Sequence, residues 1–284
     1  MNRPTLHRSA SRDISGMTVV VTGGARGIGR ATVERLAGHG AAVAVGDLDL
    51  ELAESVAAPL GSRVRAARLD VTSPESWSSF LDAVAELGPI DALVNNAGIM
   101  PLGSVLKEPE SVSRAIMDVN VHGPINGTKA VGPGMVERGR GHIVNVASAV
   151  GRVAVADGAT YSASKFAAVG FSEATRAELA PHGIDVSVVL PAVVRTELSA
   201  GVPEARGVKS VSADDVAAVI ESVLQRPRAE TWVPRYGQYV SKPTLLLPHS
   251  WQDAVARAFK ADSVLASADP AARAAYEERV RSQG

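Results

Sequence analysis

Tyr161 and Lys165 are the residues of this 284-residue sequence whose types and spacing most directly suggest chemistry. Positions four apart lie on one face of a helix, so the lysine ammonium can lie beside the phenol. A nearby cation favours the phenolate, and we therefore predict that Lys165 lowers the pKa of Tyr161 from its ordinary value near ~10. Tyr161 is then a candidate general base. Such a pair is also common on exposed helix faces, so this interpretation depends on other residues.

A glycine-rich segment, Thr22-Gly23-x3-Gly27-Ile28-Gly29, follows an apolar run and opens a helical pattern. In that context glycines let the backbone turn tightly and approach a pyrophosphate, which binds to N–H groups at the helix N-terminus. A nucleoside-triphosphate P-loop is excluded, because Arg30-Ala31 stands where a lysine and a hydroxyl residue are needed. An ordinary strand-to-helix turn would also use these glycines. The segment is nevertheless the best candidate for a dinucleotide site.

Asp47 and Arg26 bear on which dinucleotide would bind. Asp47 ends the second apolar run, near the distance along the chain at which a carboxylate reaches the adenosine ribose hydroxyls. A carboxylate there repels a 2′-phosphate, which favours NAD. Arg26 lies in the glycine-rich segment and can pair with a 2′-phosphate, so NADP remains the less favoured alternative. Asp47 can also serve simply as a turn residue after a strand.

Short apolar runs alternate with helix-length amphipathic segments, which is typical of a parallel sheet covered on both faces. The predicted strands are 17–21, 41–45, 64–69, 91–94, 142–146 and 185–190. The predicted helices are 28–37, 50–58, 75–87, 109–137, 160–180 and 213–225, the last capped by Ser212. We expect an α/β fold with one doubly wound domain over residues 16–235, preceded by a flexible arm, residues 1–15.

Residues 236–284 form a predicted helical C-terminal extension. Ser250 opens a capping-box pattern, and Trp251, Val255, Ala258 and Phe259 would share one face of that helix. A second helix is predicted to begin at Asp269-Pro270, with aspartate as the cap and proline at the first helical position. The extension would pack on its own core or a sister subunit, cover a substrate cleft, or lie on a membrane surface.

Composition excludes several classes of function. A net charge of −1 gives no general field that would attract nucleic acid. The chain has no cysteine, and its six histidines form no pair with metal-ligand spacing, so we expect no metal site. There is no apolar run long enough to span a membrane, and the first residues do not resemble a signal peptide, so we expect a cytoplasmic protein.

Residues 16–235 resemble the short-chain dehydrogenase/reductase family, whose members have a Rossmann fold. Thr22-Gly23-x3-Gly27-Ile28-Gly29 resembles the family's cofactor loop, Asp70-Val71 its adenine-contacting pair, and Asn95-Asn96-Ala97-Gly98 the segment after its fourth strand. The catalytic tetrad of the family matches, in order and spacing, Asn120, Ser148, Tyr161 and Lys165.

The resemblance implies a role for each member of the tetrad. Tyr161 would be the acid/base, and Lys165 would lower its pKa and bind the nicotinamide ribose. Ser148 would bind the substrate oxygen, and Asn120 would hold a proton-relay water. The cofactor contacts implied are Gly23, Arg26, Gly27, Ile28, Gly29, Asp47, Leu48, Asp70, Val71, Asn96, Ala97, Gly98, Tyr161, Lys165, Pro191, Val194 and Thr196. The family also implies a homodimer or homotetramer, assembled through the helices near 109–137 and 160–180.

One position departs from the family pattern: Pro191-Ala192 replaces its usual Pro-Gly. Alanine does not readily adopt positive φ, but it fits if the backbone is extended there. The cleft segments are mostly apolar, which favours a lipophilic substrate. The predicted substrate-binding residues are Met100, Ser148, Val150, Val153, Tyr161 and Ala192. Arg152 and Arg195 can hold a carboxylate or lie at a solvated rim.

The resulting functional hypothesis is an NAD(H)-dependent oxidoreductase that interconverts a lipophilic secondary alcohol and its ketone. An NADPH-dependent carbonyl or 3-oxoacyl reductase is the alternative within the same class. A dinucleotide-binding sensor or scaffold without turnover is an alternative of a different class.

Overall fold

The computed structural model describes residues 11–203, 210–239, 247, 248, 250, 251, 254, 257, 265 and 267–283. Its centre is a seven-stranded sheet of parallel strands in the order β3-β2-β1-β4-β5-β6-β7. The strands are β1 Thr18–Thr22, β2 Ala42–Asp47, β3 Val64–Arg68, β4 Ala92–Asn95, β5 Gly141–Val146, β6 Ile184–Pro191 and β7 Glu230–Val233. The strand order reverses between β1 and β4, and ligands bind in open α/β sheets at such a point. The predicted doubly wound α/β fold is confirmed.

The α-helices that lie wholly within the described residues are at or near the predicted positions. They are α1 Gly27–Gly38, α2 Leu50–Ala57, α3 Pro74–Ala83, α4 Glu110–Met117, α5 Gly123–Arg138, α6 Ala159–Leu179, α7 Ala213–Gln225 and α8 Pro270–Gln283. Ser212 caps α7 as expected, because its side chain accepts a 3.1 Å hydrogen bond from the N–H of Asp215. The predicted helix over 109–137 differs in one respect: a π-helical turn, Asp118–His122, joins α4 to α5.

The strand β7 had no prediction from the sequence. It has four residues and pairs with β6 from Val188↔Glu230 to Pro191↔Val233. Pro227 and Pro234 flank it closely, and a short segment between prolines gives little strand pattern. Its buried residue Trp232 packs with Val188 and Leu190 of β6. The edge of the sheet is therefore defined by tertiary packing.

Both faces of the sheet are buried, as the continuous apolar strands predicted. Val19 and Val21 of β1 pack on one face with a cluster that includes Leu36 of α1 and Ile220 of α7. Val20, between them, belongs to the cluster on the opposite face, with Trp77, Phe80 and Met135 of α3 and α5. Alternate residues of one strand thus enter two cores, and each large side chain so buried contributes about 1.5–3 kcal/mol.

Part of the terminal predictions lies outside the described residues. The N-terminal arm is described from residue 11 onward. Ser250, Trp251, Ala254 and Arg257 are helical, whereas Val255, Ala258 and Phe259 are not among the described residues. The second predicted helix is confirmed as α8: it begins at Pro270, and the N–H of Ala271 donates a 2.9 Å hydrogen bond to the Asp269 carboxylate.

Candidate functional site

The glycine-rich segment forms a tight turn between β1 and α1. Gly23 and Gly27 have φ values of +62° and +50°, in the left-handed region that favours glycine. A Cβ on Gly29 would lie 1.9 Å from the Gly23 carbonyl oxygen, so only glycine fits there. No side chain among the described residues caps α1, which begins at Gly27 after an extended Arg26. Its first N–H groups suit an anion such as pyrophosphate.

The end of β4 is fastened to this turn by Asn96. The Asn96 side-chain amide donates hydrogen bonds to the carbonyl oxygens of Thr22 and Gly23, at 3.0 and 3.1 Å. In return, the Thr22 hydroxyl accepts hydrogen bonds from the N–H groups of Asn96 and Ala97, both at 3.0 Å. The predicted loop residues after β1 and β4 therefore form one unit at the C-terminal edge of the sheet.

Asp47 lies at the end of β2 against the same turn. Its carboxylate accepts hydrogen bonds from the N–H of Ala25 at 3.0 Å and from the N–H of Asp49 at 3.1 Å. Leu48 therefore lies between two residues, Asp47 and Asp49, that are joined by a hydrogen bond. The Arg26 guanidinium pairs with Asp49 at 2.9 Å and lies 3.7 Å from Glu197. The cation that would bind a 2′-phosphate is thus already placed between carboxylates.

Asp70 and Val71 follow β3 on the same edge of the sheet. The Asp70 carboxylate accepts hydrogen bonds from the backbone N–H and the hydroxyl of Thr72, at 2.9 and 2.7 Å. The carbonyl oxygen of Val71 accepts a 3.1 Å hydrogen bond from the Asn126 amide. These contacts fix the loop in which the resemblance places the adenine contacts.

The four residues of the predicted tetrad come from three segments. Tyr161 and Lys165 lie in the first turns of α6, Ser148 follows β5, and Asn120 lies in the π-helical turn. The Lys165 Nζ atom is 5.7 Å from the centroid of the Tyr161 ring. A Cβ on Gly98 would lie 3.1 Å from Asn120 Oδ1 and 3.4 Å from Lys165 Nζ, so this glycine leaves room where two members converge.

Asn120 is held by its side chain. Its Oδ1 accepts a 2.8 Å hydrogen bond from the N–H of Ile99, and its Nδ2 donates to the Ile99 carbonyl at 2.9 Å. The same Nδ2 donates to the Ser164 hydroxyl at 3.0 Å. The π-helical turn shifts the residue register at this point, which re-aims a side chain within a long helix. Ser164 is a contact that the sequence analysis missed, because its partner is far away along the chain.

Burial sets the pKa values of the central pair. It raises the pKa of Tyr161 above its ordinary value, and the proximity of the Ser148 hydroxyl acts in the opposite direction. Burial also lowers the pKa of Lys165 to about 8. The prediction that Lys165 brings the pKa of Tyr161 below ~10 is therefore wrong for this structure. Spacing predicts which groups are neighbours, but it does not predict how far burial removes water from the phenol, and here burial is the largest cause of the shift in pKa.

The segment after β6 approaches the glycine-rich turn. Within the described ranges, Asp157 is the one non-glycine residue with positive φ, so Ala192 fits as predicted after Pro191. The N–H of Ala192 donates a 2.8 Å hydrogen bond to the Val233 carbonyl. Val194 is buried, and Thr196 Cγ2 lies 3.2 Å from where a Cβ of Gly27 would stand. The predicted residues 191–196 therefore lie between β7 and the glycine-rich segment, residues 22–29, which is the predicted phosphate loop.

The predicted substrate wall is partly enclosed. Met100 is buried after β4, while Val150 and Val153 are half-buried beside the turn that follows Ser148. The guanidinium of Arg152 is paired with Glu230 at 2.8 Å, and Arg195 donates to the Ser210 carbonyl at 2.8 Å. A cavity of about 370 Å³ is lined by Val193, Arg195, Thr196, Ser199, Ala200, Val202 and Ser210.

Two residues of α8 that no sequence pattern indicates also contact the predicted substrate wall. The Tyr276 hydroxyl accepts a 2.7 Å hydrogen bond from the N–H of Met100, and Arg273 donates to the Met100 carbonyl at 2.7 Å. No local pattern in α8 identifies these partners, because they are about 170 positions earlier in the chain.

The described residues hold no group of three or more His, Cys, Asp or Glu side chains that could bind a metal.

Comparison with known proteins agrees with this geometry. A family model described as short chain dehydrogenase matches residues 17–207. The chain belongs to the short-chain dehydrogenase family. Enzymes of this family are oxidoreductases that use NAD(P), and the glycine-rich segment held by Asn96 and the predicted tetrad of this short-chain dehydrogenase lie within the matched residues. The helix α8 lies outside them.

Individual relatives share the same region of the chain. It is 39% identical over 190 residues to a 3-alpha-(or 20-beta)-hydroxysteroid dehydrogenase of Mycobacterium tuberculosis, covering 66% of this chain and 73% of the relative. It is 40% identical over 189 residues to a 2,5-dichloro-2,5-cyclohexadiene-1,4-diol dehydrogenase of Sphingobium indicum, covering 66% and 76%. A crystal structure of a short-chain type dehydrogenase/reductase from Mycobacterium marinum superposes with a TM-score of 0.70 at 31% identity, covering 75% of this chain and 90% of that one.

No helix among the described residues is long and apolar enough to span a bilayer.

Proposed function

We propose that this short-chain dehydrogenase interconverts a lipophilic secondary alcohol and its ketone with NAD(H). The observation that supports this most directly is the convergence of Ser148, Tyr161 and Lys165 beside the phosphate loop. A hydroxyl, a phenol and an ammonium group at the C-terminal edge of the sheet form a proton-handling set next to a dinucleotide site.

The chain's own residues handle the proton of the reaction. When bound, the dinucleotide would supply or accept the hydride at its nicotinamide ring. Tyr161 takes the alcohol proton during oxidation and returns a proton to the ketone oxygen during reduction. Ser148 donates a hydrogen bond to that oxygen, which stabilises the developing charge. Lys165, with its pKa near 8, is mostly protonated at pH 7 and favours the phenolate when Tyr161 gives up its proton.

The same residues orient the nucleotide and the relay. Lys165 binds the nicotinamide ribose, and Asn120, fixed by Ile99 and Ser164, holds a water that passes protons toward solvent. Thr196 contacts the nicotinamide amide from the segment after β6. Asp70 and Val71 contact the adenine.

The preference for NAD follows from the surroundings of Asp47 and Arg26. The Asp47 carboxylate is fixed by two backbone N–H groups at the end of β2, where the adenosine ribose would bind. Arg26 is paired with Asp49, and this ion pair competes with any 2′-phosphate. The fixed negative charge of Asp47 repels a 2′-phosphate, and Arg26 is already paired with Asp49, so both features disfavour NADP.

The substrate class rests on the cleft wall and on the relatives. Met100, Val150, Val153 and Ala192 give an apolar wall, and Arg152 and Arg195 are engaged within the chain. The two relatives are named for a 3-alpha- or 20-beta-hydroxysteroid and for a cyclohexadienediol, and both names describe secondary alcohols of molecules with a carbocyclic skeleton. A lipophilic secondary alcohol with a carbocyclic skeleton fits both observations.

The test is a set of initial rates with the purified protein. Cyclohexanol, 1-tetralol and a hydroxysteroid are each offered as substrates with NAD or NADP, and formation of the reduced cofactor is followed by absorbance. We expect turnover that prefers NAD and that Tyr161→Phe reduces at least about 100-fold, the scale of a lost general base. Tyr236→Phe, at an exposed tyrosine, is the matched control.

Three outcomes would contradict the proposal. Unchanged turnover in Tyr161→Phe would refute the assigned acid/base. A clear preference for NADPH would refute the argument from Asp47. Binding of NADH, measured by its fluorescence, without turnover of any alcohol or ketone in the set would indicate a sensor or scaffold.

A further inference from the structure

The C-terminal helix α8 lies against the segments that surround Tyr161. Met100 follows β4, and both its N–H and its carbonyl are bound by α8, through Tyr276 and Arg273. Arg273 also donates to the carbonyl oxygens of Leu198 and Ala200, at 3.1 and 3.2 Å. One guanidinium therefore connects α8 to the segments after β4 and after β6, which form two sides of the cleft.

The residues just before α8 reach a third side. A Cβ on Gly158, the residue before α6, would lie 2.7 Å from Leu265 Cδ1. The N–H of Asp269 donates a 2.9 Å hydrogen bond to the Gly201 carbonyl. Tyr161 is in the first turn of α6, so the C-terminal segment contacts the start of the helix that carries this phenol as well as the segments after β4 and β6.

Tyr276 is held firmly in this position. Its side chain is only 5% exposed, and Arg273, at 2% exposure, lies 5.3 Å from its ring centroid. Arg279 lies 5.7 Å from the same ring on the other turn of the helix and pairs with Glu197 at 2.7 Å. Two guanidinium groups thus contact one aromatic ring, and their attraction to its π-system holds the ring in place.

We propose that α8 forms the outer wall of the substrate pocket and that Tyr276 is a substrate-contacting residue that determines specificity. This rests on the proposed function. The Tyr276 ring limits the size of the alcohol that can lie against Tyr161. Its oxygen already accepts the Met100 N–H, so its own proton is directed to a second oxygen on the substrate. Arg273 is a positioning residue, because it acts by holding Tyr276 and the two backbone segments.

The electrostatics of the two phenols agree with this placement. Burial raises the pKa of Tyr276 to about 12, so its hydroxyl remains a hydrogen-bond donor at neutral pH. The charge of an ionised Tyr276 would raise the pKa of Tyr161, which indicates that the two phenols are neighbours. Tyr161 itself is 6% exposed.

The first test measures the accessibility of Tyr161 and needs no turnover. The chain has four tyrosines, of which Tyr236 and Tyr239 are exposed and serve as internal standards. Tetranitromethane treatment followed by peptide mass spectrometry gives the nitration rate of each. We expect Tyr276→Ala to raise nitration of Tyr161 at least about five-fold relative to these standards, and Glu278→Ala, on the exposed face of α8, to leave it unchanged. An unchanged rate in Tyr276→Ala would overturn the proposal.

The second test measures specificity. The ratio of kcat/KM for a hydroxysteroid to that for cyclohexanol should rise about 10-fold in Tyr276→Ala and stay constant in Glu278→Ala. Tyr276→Phe keeps the ring, so it should keep this ratio but raise KM for a diol relative to the matching mono-alcohol. Circular dichroism and unfolding midpoints identify any variant that has lost its fold.

The two proposals fail in different ways. If Tyr161 becomes accessible but no alcohol is oxidised by any variant, the proposed reaction fails and α8 remains the wall of the pocket. If alcohols are oxidised but the ratio does not move in Tyr276→Ala, the reaction stands and the assignment of Tyr276 is refuted.

Discussion

Replacing Lys165 by methionine is expected to stabilise the folded protein at neutral pH while it removes turnover. The Lys165 side chain is 6% exposed, and its ammonium donates a long hydrogen bond of 3.3 Å to the Val146 carbonyl. A buried ammonium with so little compensation is costly, and methionine has a similar length without the charge.

The expected gain follows from the pKa of the lysine. Burial lowers it from 10.5 to about 8, and each pKa unit corresponds to about 1.36 kcal/mol, which gives a cost of about 3 kcal/mol for the charged form. Loss of the hydrogen bond to Val146 offsets about 1 kcal/mol of this. Lys165→Met should therefore raise the free energy of unfolding by about 2 kcal/mol at pH 7.

The dependence on pH distinguishes this cause from better packing. Because the folded-state pKa is depressed, the unfolded chain binds more protons than the folded chain between about pH 8 and pH 10.5. The wild-type protein gains stability as pH rises through that window, while the methionine variant lacks this gain. The stability difference should be largest below pH 8 and should close toward pH 10.5.

The assay is urea denaturation at pH 7, 8, 9 and 10 for the wild type, Lys165→Met and Lys129→Met. Lys129 is an exposed lysine of α5 and provides the matched control. We expect the difference in free energy of unfolding between Lys129→Met and the wild type to stay the same at every pH. The reasoning would be refuted if Lys165→Met were less stable than the wild type at pH 7, or if its difference from the wild type stayed constant from pH 7 to 10.

Further predictions concern the reaction, the nucleotide and the assembly. The raised pKa of Tyr161 predicts that initial rates of alcohol oxidation increase from pH 6 to 8, since oxidation needs the phenolate and Lys165 keeps most of its charge below about pH 8; a decrease across that range would contradict it. Asp47→Ala should lower the ratio of kcat/KM for NAD to that for NADP about 10-fold, because a fixed charge facing the 2′ position is lost; an unchanged ratio would argue against its assigned contact. Asn96→Ala should lower the free energy of unfolding by about 1–3 kcal/mol, since two backbone carbonyls lose their donor, and weaken NADH binding measured by fluorescence. Analytical ultracentrifugation should give a homodimer or homotetramer for the wild type and smaller species for Phe166→Glu, at an exposed apolar residue of α6, whereas a monomeric wild type would refute the predicted interface.

Local sequence signals account well for the elements near the site. Ser212 and the acidic residues after it placed α7 correctly, and Asp269-Pro270 placed the start of α8, because caps are local chemistry. The glycine-rich segment is equally local, since Gly29 is required by a contact only six residues away. These predictions needed no knowledge of distant partners.

Other features depend on contacts between distant parts of the chain. The π-helical turn at Asn120 is stabilised by Ile99 and Ser164, and neither neighbour is evident from the helix pattern over 109–137. The partners of α8 are likewise distant in the sequence. The sequence alone therefore does not decide whether the C-terminal extension packs on its own core or a sister subunit, lies on a membrane surface or covers the substrate cleft. The pKa of Tyr161 shows the same limit: the i, i+4 spacing identified the cation but not the loss of water.

The contacts that hold α8 suit a wall that must admit a substrate. Arg273 is fastened mainly through the carbonyl oxygens of Met100, Leu198 and Ala200, and hydrogen bonds to a charged group contribute about 1.5–3 kcal/mol each. The backbone segments that it binds can exchange these bonds for water when α8 moves away. The buried β1 contacts, in contrast, lie in a core that reaches across the whole sheet. Opening of α8 would break contacts to the segments after β4 and after β6 and leave the buried β1 contacts intact, so the pocket can be exposed while the sheet that carries the phosphate loop stays folded.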